Sequence, residues 1–376
     1  MTCDEKYMHS ALKLAARGIG AVEPNPAVGC VIVKSGQVIG KGWHKRFGGP
    51  HAEINALNDC RNLGANAKGG TMYVTLEPCC HIGKTGPCTA SIIDAGITKV
   101  VATMTDPSAH AQGKGFEQLR QAGIEVEVGL CEQQAKLLNA PFIKFASTGK
   151  TWVILKWAQS IDGKLSYTSA AQRWISSEAG RNDAHKLRNR AQAILVGIQT
   201  VLADDPLLTP RGAGSKDKKL TRIVMDSHMR IPTDCQLVKT ARRQPVIVAA
   251  YTGSVAADIN KKELLEKAGV EILPFGDLQG KSNLAFVLDV LAKRGVAQLL
   301  VEGGPRMLAS FLREGLADEL CVYVAPKILG GSGTADIAKA LENLASELSL
   351  HYVQVKTFAG DTRISGLTSR GVAAIS

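Results

Sequence analysis

A repeated alternation of helical and strand patterns runs through most of this chain and restricts what it can fold into. Apolar residues at helical spacing, as in residues 5–17, alternate with short β-rich runs such as residues 71–76 and 99–104. Strands joined by helices of this length form parallel sheets, because each crossover helix returns the chain to the same end of the sheet. The pattern therefore predicts an α/β fold with helices on both sheet faces.

The length of the chain and one short segment predict how it is divided. Its 376 residues correspond to about two domains, at roughly 150 residues per domain. One α/β series ends before the segment STGK at residues 147–150, which is typical of a short linker, and a second series follows. We therefore predict a first domain over residues 1–147 and a second over residues 148–376.

Composition excludes several classes of protein. Hydrophobic residues make up 45% and charged residues 21% of the chain, as in globular proteins rather than disordered or fibrous ones. No apolar run approaches the ~18 residues that a membrane-spanning helix needs. Residues 1–10 carry charge and lack the apolar stretch of a secretory signal, so we expect a cytoplasmic protein with no membrane partner.

Charge and aromatic content bear on the ligand. The net charge of +11 is spread over both halves, which favours anionic ligands, phosphorylated small molecules and RNA alike. Aromatic residues make up 5% of the chain. Because single-stranded bases stack on aromatic side chains, this low content argues against a nucleic-acid partner.

A histidine and two cysteines in the first half have the composition of a zinc site. HAE at residues 51–53 stands at a predicted helix start, and PCCHIGKTGPC at residues 78–88 follows a predicted strand. One imidazole and two thiolates suit zinc, and three protein ligands leave a fourth position for water, which the metal activates. His51, Cys79 and Cys88 are therefore candidate ligands.

Glu53, two residues after His51, is placed to act on that water without binding the metal. It can carry a proton from water to a leaving amine as a general acid and base. H-x-E followed by Pro-Cys and a second cysteine is the pattern of zinc nucleobase deaminases. Here eight residues separate Cys79 from Cys88 where that pattern has two.

Two less specific interpretations remain for these residues. Cysteines are often simply buried, and the group could be part of a core. A closed structural zinc site could use Cys80 or His81 as its fourth ligand. The strand–turn–helix context and the non-ligating Glu53 favour a catalytic site, with Cys80 packing instead of ligating.

The second half carries weaker signals when taken alone. EGGP at residues 302–305 follows an apolar strand and opens a helix, where backbone N–H groups attract phosphate. A tight β–α turn explains the same glycines equally well. Basic residues between Arg181 and Arg190 are partly a solvated helix face.

The zinc motifs, with PNPAVG at residues 24–29, resemble the bifunctional riboflavin-biosynthesis deaminase/reductase family. The resemblance implies a cytidine-deaminase-like three-layer α/β/α domain followed by a dihydrofolate-reductase-like α/β domain. It implies zinc (Zn2+) ligation by His51, Cys79 and Cys88, and proton transfer by Glu53. Its candidate deaminase substrate contacts are Asn25, His44, His81 and Lys84.

Motifs in the second half continue this resemblance in order from Lys156 to Gly304, so that it covers essentially the whole chain. They imply NADPH as the hydride donor and a phosphorylated substrate. The implied NADPH contacts are Ala158, Trp174, Thr200, Asp204, Ser227 and Gly304. The implied substrate contacts are Lys156, Gln172, Arg188, Leu208, Arg211 and Glu302.

The chain departs from the family pattern at two positions. Gly86 stands where the family usually has proline, which loosens the turn before Cys88 and leaves the ligands intact. Gln172 stands where the family often has serine, and its longer amide puts that substrate contact in doubt. Residues 212–219 look short for the family and receive no role.

By resemblance, the first domain deaminates a diaminopyrimidinone ribosylamine 5′-phosphate, a small-molecule phosphorylated pyrimidine. The second then reduces its ribosyl group to ribityl with NADPH, and the protein forms a homo-oligomer. Alternatives are a nucleotide- or RNA-directed zinc deaminase with a decayed or accessory second domain, and a non-enzymatic scaffold with a structural zinc. Metal-dependent turnover would exclude the scaffold, and reduction by NADPH would exclude a decayed second domain.

Overall fold

The fold is taken from a computed structural model, which describes residues 2–80, 86–108, 111–169, 174–211, 219–276 and 283–376. The predicted contacts His81, Lys84 and Gln172 lie outside the described residues, as do residues 212–218. The chain divides into two compact units, Met1–Gly149 and Lys150–Ala374. None of the described helices combines the length and the hydropathy needed to cross a membrane.

The first unit is a sheet covered by helices on both faces. Its strands run in the order β2-β1-β3-β4-β5, with β1 antiparallel to β2 and β3, and β3, β4 and β5 parallel. The elements are α1 (Cys3–Ala15), β1 (Gly29–Lys34), β2 (Gln37–Trp43), α2 (Ala52–Asn62), β3 (Thr71–Val74), α3 (Cys88–Asp94), β4 (Lys99–Ala102), α4 (Lys114–Gln121), β5 (Glu125–Val128), α5 (Glu132–Leu138) and α6 (Ala140–Thr148).

Side-chain alternation along β1 explains the three layers. Ile32 packs with α2, α3 and α4 on one face of the sheet, whereas Val31 and Val33 pack against α1 on the other. Both faces of the strand are apolar because both are covered. The predicted three-layer α/β/α class is thus confirmed.

The helix that carries the HAE motif lies unusually close to the sheet. A Cβ on Gly42 would lie 2.3 Å from the backbone oxygen of Ala52, and one on Gly40 would lie 2.5 Å from that of Ala56. Only glycine permits this approach of backbone to backbone. The two glycines of β2 therefore set the position of α2, and with it the position of the residues at its N-terminal end.

The second unit is built on a sheet of order β11-β10-β9-β8-β12-β6-β13-β16-β15, with β7 and β14 paired separately. Its elements are β6 (Trp152–Gln159), β7 (Lys164–Tyr167), α7 (Glu178–Arg190), β8 (Ala193–Gly197), α8 (Ile198–Asp204), β9 (Thr221–Met225), α9 (Gln236–Lys239), β10 (Val246–Tyr251), α10 (Thr252–Ala257), α11 (Ile259–Lys267), β11 (Val270–Phe275), α12 (Asn283–Lys293), β12 (Gln298–Glu302), α13 (Pro305–Arg313), β13 (Glu319–Val324), β14 (Gly333–Asp336), α14 (Ile337–Leu341), β15 (His351–Phe358), β16 (Asp361–Leu367) and α15 (Ser369–Ala373).

The seven neighbouring strands β11, β10, β9, β8, β12, β6 and β13 are parallel, so their carboxyl ends meet at one edge of the sheet. The central strands β8 and β12 are buried apolar runs, as expected for a parallel sheet covered on both faces. The edge formed by carboxyl ends is where open α/β sheets bind ligands. The predicted α/β class of the second unit is confirmed.

The antiparallel end of this sheet is not predicted from the sequence. Strand β16 pairs with β13, and β15 pairs with β16 at the sheet edge. Nearly all of β15 is exposed on both faces. Its stretch from Val353 to Lys356 alternates between apolar and polar residues, but both valines are exposed, so the alternation does not mark a face buried in the core.

Candidate active sites

The first site is formed where two helices begin beside strand β3. His51 caps the N-terminus of α2 without a side-chain capping hydrogen bond, which leaves its ring free to face the site. Cys79 follows β3, and Cys88 is the first residue of α3. The His51 Nδ1 atom lies 3.4 Å from Sγ of Cys79 and 3.3 Å from Sγ of Cys88.

These three donor atoms fit a zinc ion. All lie within 4.8 Å of one another, and Cys80 is not part of the group. A tetrahedral zinc with bonds of ~2.0 Å to nitrogen and ~2.3 Å to sulfur holds its ligand atoms roughly 3.5 Å apart. A hydrogen bond from Cys88, with further ones from His51 and the backbone, lowers the pKa of Cys79. This favours the thiolate form of Cys79, which is the form that binds a metal.

Glu53 lies beside the ligand group in the first turn of α2. Its side chain is buried, with 3% of its surface exposed. Within the described part of the chain, its Oε2 atom has no hydrogen-bond partner. Burial, reinforced by the charge of Cys79, raises the pKa of Glu53 to about 7. The carboxyl group can therefore both accept and release a proton near neutral pH.

His44 presents a second buried polar atom near this group. Its ring meets the His51 ring edge-on at 5.4 Å between centroids, and its Nδ1 lies 3.1 Å from the carbonyl oxygen of Pro50. Because a carbonyl only accepts, Nδ1 carries the hydrogen. Burial lowers the pKa of His44, so the ring is neutral and Nε2 is an acceptor. No described residue donates to it.

Asn25 stands in the loop before β1, and a residue that the sequence did not indicate holds this loop. Asn139 is buried, accepts a hydrogen bond from Ala27 N at 2.9 Å and donates one to Ala27 O at 3.0 Å. It lies 112 residues away in sequence. A lone asparagine between two helices carries no local signal of this role.

Glu77 is a second supporting residue that the sequence did not indicate. Its buried carboxylate accepts hydrogen bonds from the backbone N–H groups of Asp106 at 3.0 Å, Gly113 at 2.9 Å and Gly115 at 2.8 Å. These bonds fix the segment that leads into Cys79. A charged residue directly after a buried strand is the signal that could have found it.

The second site is a cavity of about 780 Å³ at the carboxyl ends of the parallel strands. The predicted residues that line it are Lys156, Ala158, Trp174, Arg188, Thr200, Asp204, Leu208, Arg211 and Glu302. Ser227 and Gly304 lie outside its lining, after β9 and β12 at the same edge of the sheet.

A buried group of charges forms the floor of this cavity. Arg188 donates to both carboxylate oxygens of Glu302, at 3.0 and 2.8 Å, and the Lys156 ammonium lies 3.7 Å from the same carboxylate. Strand register explains the latter contact, because Glu302 pairs with Lys156 across β12 and β6. Burial alone would raise the pKa of Glu302, but the charges of Arg188 and Lys156 lower it to about 2.

The lining residues that were not predicted as site residues include His185 and Tyr323. His185 lies three positions before Arg188 on α7, and burial with the Arg188 charge lowers its pKa to about 4. Tyr323 pairs in register with Ala158 and donates to Asp183 at 2.8 Å. The helical spacing of His185 and Arg188 could have indicated the first, whereas Tyr323 reaches the cavity only through strand pairing.

Both units match known protein families. The family described as the cytidine and deoxycytidylate deaminase zinc-binding region matches residues 1–104. The RibD C-terminal domain matches residues 151–364. The fold and the two sites thus define a zinc-dependent deaminase joined to a reductase.

Similarity to individual proteins extends over nearly the whole chain. The riboflavin biosynthesis protein RibD of Aquifex aeolicus is 41% identical over 362 residues, covering 93% of this chain and 98% of the relative. RibD of Escherichia coli is 38% identical, covering 95% and 97%. The structure of Acinetobacter baumannii RibD superposes with a TM-score of 0.81 at 35% identity, covering 98% of this chain and 99% of that one. The chain belongs to the RibD family of bifunctional riboflavin-biosynthesis enzymes.

Replacement of Cys88 by serine tests the proposed ligand group. Purified protein is expected to hold about one zinc per first unit, and Cys88→Ser is expected to lose most of it, because a serine hydroxyl is a poor zinc ligand at neutral pH. Metal content is measured by inductively coupled plasma mass spectrometry. Cys80→Ser is the matched control and should keep its zinc. Full zinc content in Cys88→Ser would remove Cys88 from the ligand group.

Proposed function

We propose that the two units catalyse consecutive reactions on one phosphorylated pyrimidine. The first, over residues 1–147, removes the ring amino group of a diaminopyrimidinone ribosylamine 5′-phosphate. The second, over residues 148–376, reduces the ribosyl group of the product to ribityl with NADPH. A Thermotoga maritima relative, with a TM-score of 0.80 at 32% identity, is named as a deaminase and reductase of such compounds. The observation that carries the proposal is that one chain holds both groups of site residues.

In the deaminase unit, His51, Cys79 and Cys88 would hold zinc, whose Lewis acidity makes water a nucleophile at neutral pH. Glu53 accepts the proton that the attacking water loses and passes it to the departing amino group, so that ammonia leaves. The raised pKa of Glu53 suits it to both transfers. His44 accepts a hydrogen bond from a substrate N–H at its free Nε2. Asn25, His81 and Lys84 are proposed to hold the rest of the substrate.

In the reductase unit, NADPH supplies a hydride to the sugar carbon, and the protein orients the two partners. Its proposed contacts are Ala158, Trp174, Thr200, Asp204, Ser227 and Gly304. Trp174 is 54% exposed even though the Arg181 guanidinium lies over its ring, 5.0 Å from the centre, so part of the ring can contact a planar ligand. That exposed part of the ring supports its assignment to the cofactor.

The substrate of the reductase is proposed to bind to Lys156, Gln172, Arg188, Leu208, Arg211 and Glu302. Among these proposed contacts, two arginines and one lysine outnumber the carboxylate of Glu302, and guanidinium groups suit a phosphate dianion. The described cavity lining as a whole holds four cations and four carboxylates, so its charges balance. Glu302 stays ionised because Arg188 and Lys156 lower its pKa, and it can accept hydrogen bonds from sugar hydroxyls. The meeting of these charged residues in one cavity favours a working second unit over a decayed one.

The remaining proposals concern the compartment, the oligomeric state and the partners of the enzyme. We propose that it acts in the cytoplasm as a homo-oligomer, on small molecules and not on nucleic acid or membranes. Its family membership supports these assignments, and so does the size of the cavity, which suits a cofactor and a small substrate.

Glu53→Gln separates the two activities. Glutamine keeps the size of glutamate and cannot relay a proton, so deamination should fall by roughly 100- to 10,000-fold. Zinc content and reduction of pre-deaminated substrate should not change. Each rate is measured on its own substrate by mass spectrometry. Glu132→Gln, at a half-exposed helix position of the same unit, is the control. Normal deamination by Glu53→Gln would show that Glu53 does not transfer the proton.

Arg188→Ala tests the charge group of the reductase. It leaves Glu302 buried without its main partner and removes a cation from the phosphate site, so KM for the reductase substrate should rise by roughly a hundredfold. Steady-state kinetics of the deaminated substrate measure this change. Lys186→Ala is the control, because the Lys186 side chain is 77% exposed on the same helix. An unchanged KM in Arg188→Ala would exclude Arg188 from substrate binding.

A further inference from the structure

A buried arginine in the second unit has no place in the proposed reaction. Arg222 lies in β9, paired in register with Ile194 of β8 and Val246 of β10, and none of its surface is exposed. In the described ranges, no carboxylate forms an ion pair with it. Burial lowers the pKa of Arg222 to about 10, so it remains protonated at neutral pH. A buried charge is costly, so its contacts require an explanation.

The guanidinium of Arg222 donates to atoms of three different segments. Its Nη1 atom donates to the carbonyl oxygen of Leu207 at 3.1 Å and to Oγ1 of Thr240 at 2.8 Å. Its Nη2 atom donates to the carbonyl oxygen of Gln244. Arg222 thus joins the segment around Leu207 to the helix α9 region and to the start of β10.

Leu207 belongs to residues 204–211, here called the cavity loop. All but one of its residues line the reductase cavity, and they include the proposed substrate contacts Leu208 and Arg211. Asp205 and Leu208 have φ values of +38° and +52°. Residues with side chains adopt this left-handed region at a cost, so surrounding contacts must hold the loop in place.

Described residues outside the cavity loop donate hydrogen bonds that hold it. They are donated by Gln236 N to Asp205 at 2.7 Å, Arg222 to Leu207 at 3.1 Å, Arg188 to Thr209 at 3.4 Å and Asn189 to Arg211 at 3.3 Å. Arg222 is the donor that reaches the middle of the loop, and it lies behind the loop, outside the cavity lining. Its contact with Leu207 can therefore act on a bound substrate through the loop.

We propose that Arg222 is a positioning residue of the reductase site, which holds the cavity loop so that Leu208 and Arg211 meet the phosphorylated substrate. The proposal rests on the assignment of this cavity to the reductase reaction. This role requires a guanidinium group. A neutral side chain of the same volume lacks the several N–H donors that hydrogen-bond to all three segments at once.

Arg222→Met tests the proposal. Methionine fills similar space without a charge or a donor, so the variant should fold, with the amides of Asp205, Leu207, Leu208 and Thr209 exchanging hydrogen faster. KM for the reductase substrate should rise by about tenfold or more, because small displacements of binding groups have large effects on turnover. Deamination by the same chain should be unchanged. Arg222→Lys, which keeps the charge and a donor, should recover part of the affinity.

Arg190→Met is the matched control in the same unit. Arg190 pairs with Glu319 and does not line the cavity, so this variant can lose stability but should keep its substrate KM and loop exchange rates. Unchanged loop exchange in both Arg222→Met and Arg222→Lys would overturn the proposal. Faster loop exchange with an unchanged substrate KM would instead show that the cavity loop does not bind the substrate, and would overturn that part of the proposed function.

Discussion

The meeting of two helix N-termini beside strand β3 is the arrangement on which the first unit depends. Free backbone N–H groups and the positive ends of the helix dipoles stabilise negative charge there. This favours the thiolates of a zinc site at Cys79 and Cys88. Helix α2 reaches this point because Gly40 and Gly42 let it lie directly against β2. The close packing of the α2 backbone against the β2 backbone thus places His51 and Glu53 at the site.

In the second unit, the site depends on charged side chains that are buried away from water. Arg188 and Glu302 form a two-fold hydrogen-bonded ion pair at the carboxyl edge of a buried parallel sheet. Such a pair offsets the cost of burying its two charges only with good geometry, which strand register and helix α7 supply. Lys156, 3.7 Å from the same carboxylate, gives this local group of three charges a net positive charge, which suits a phosphate.

Local sequence patterns predict much of this molecule. The α/β class, the convergence of His51, Cys79 and Cys88, and nine of the residues that line the reductase cavity follow from spacing or from family motifs. Features that depend on contacts between residues far apart in the sequence are not predicted. Asn139 and Arg222 act on loops through pairings that no local pattern encodes, and β15 has no buried face to reveal it. The roles of individual site residues stay predictions.

The central claim is that one chain carries two working sites that act in succession. Mass spectrometry of the reaction on the diaminopyrimidinone ribosylamine phosphate, with and without NADPH, tests it most directly. The account predicts replacement of the amino group by oxygen without NADPH, and a further gain of two hydrogens when NADPH is added. Deamination without any reduction would contradict the assignment of the second unit, and no reaction by zinc-loaded protein would contradict the assignment of the first.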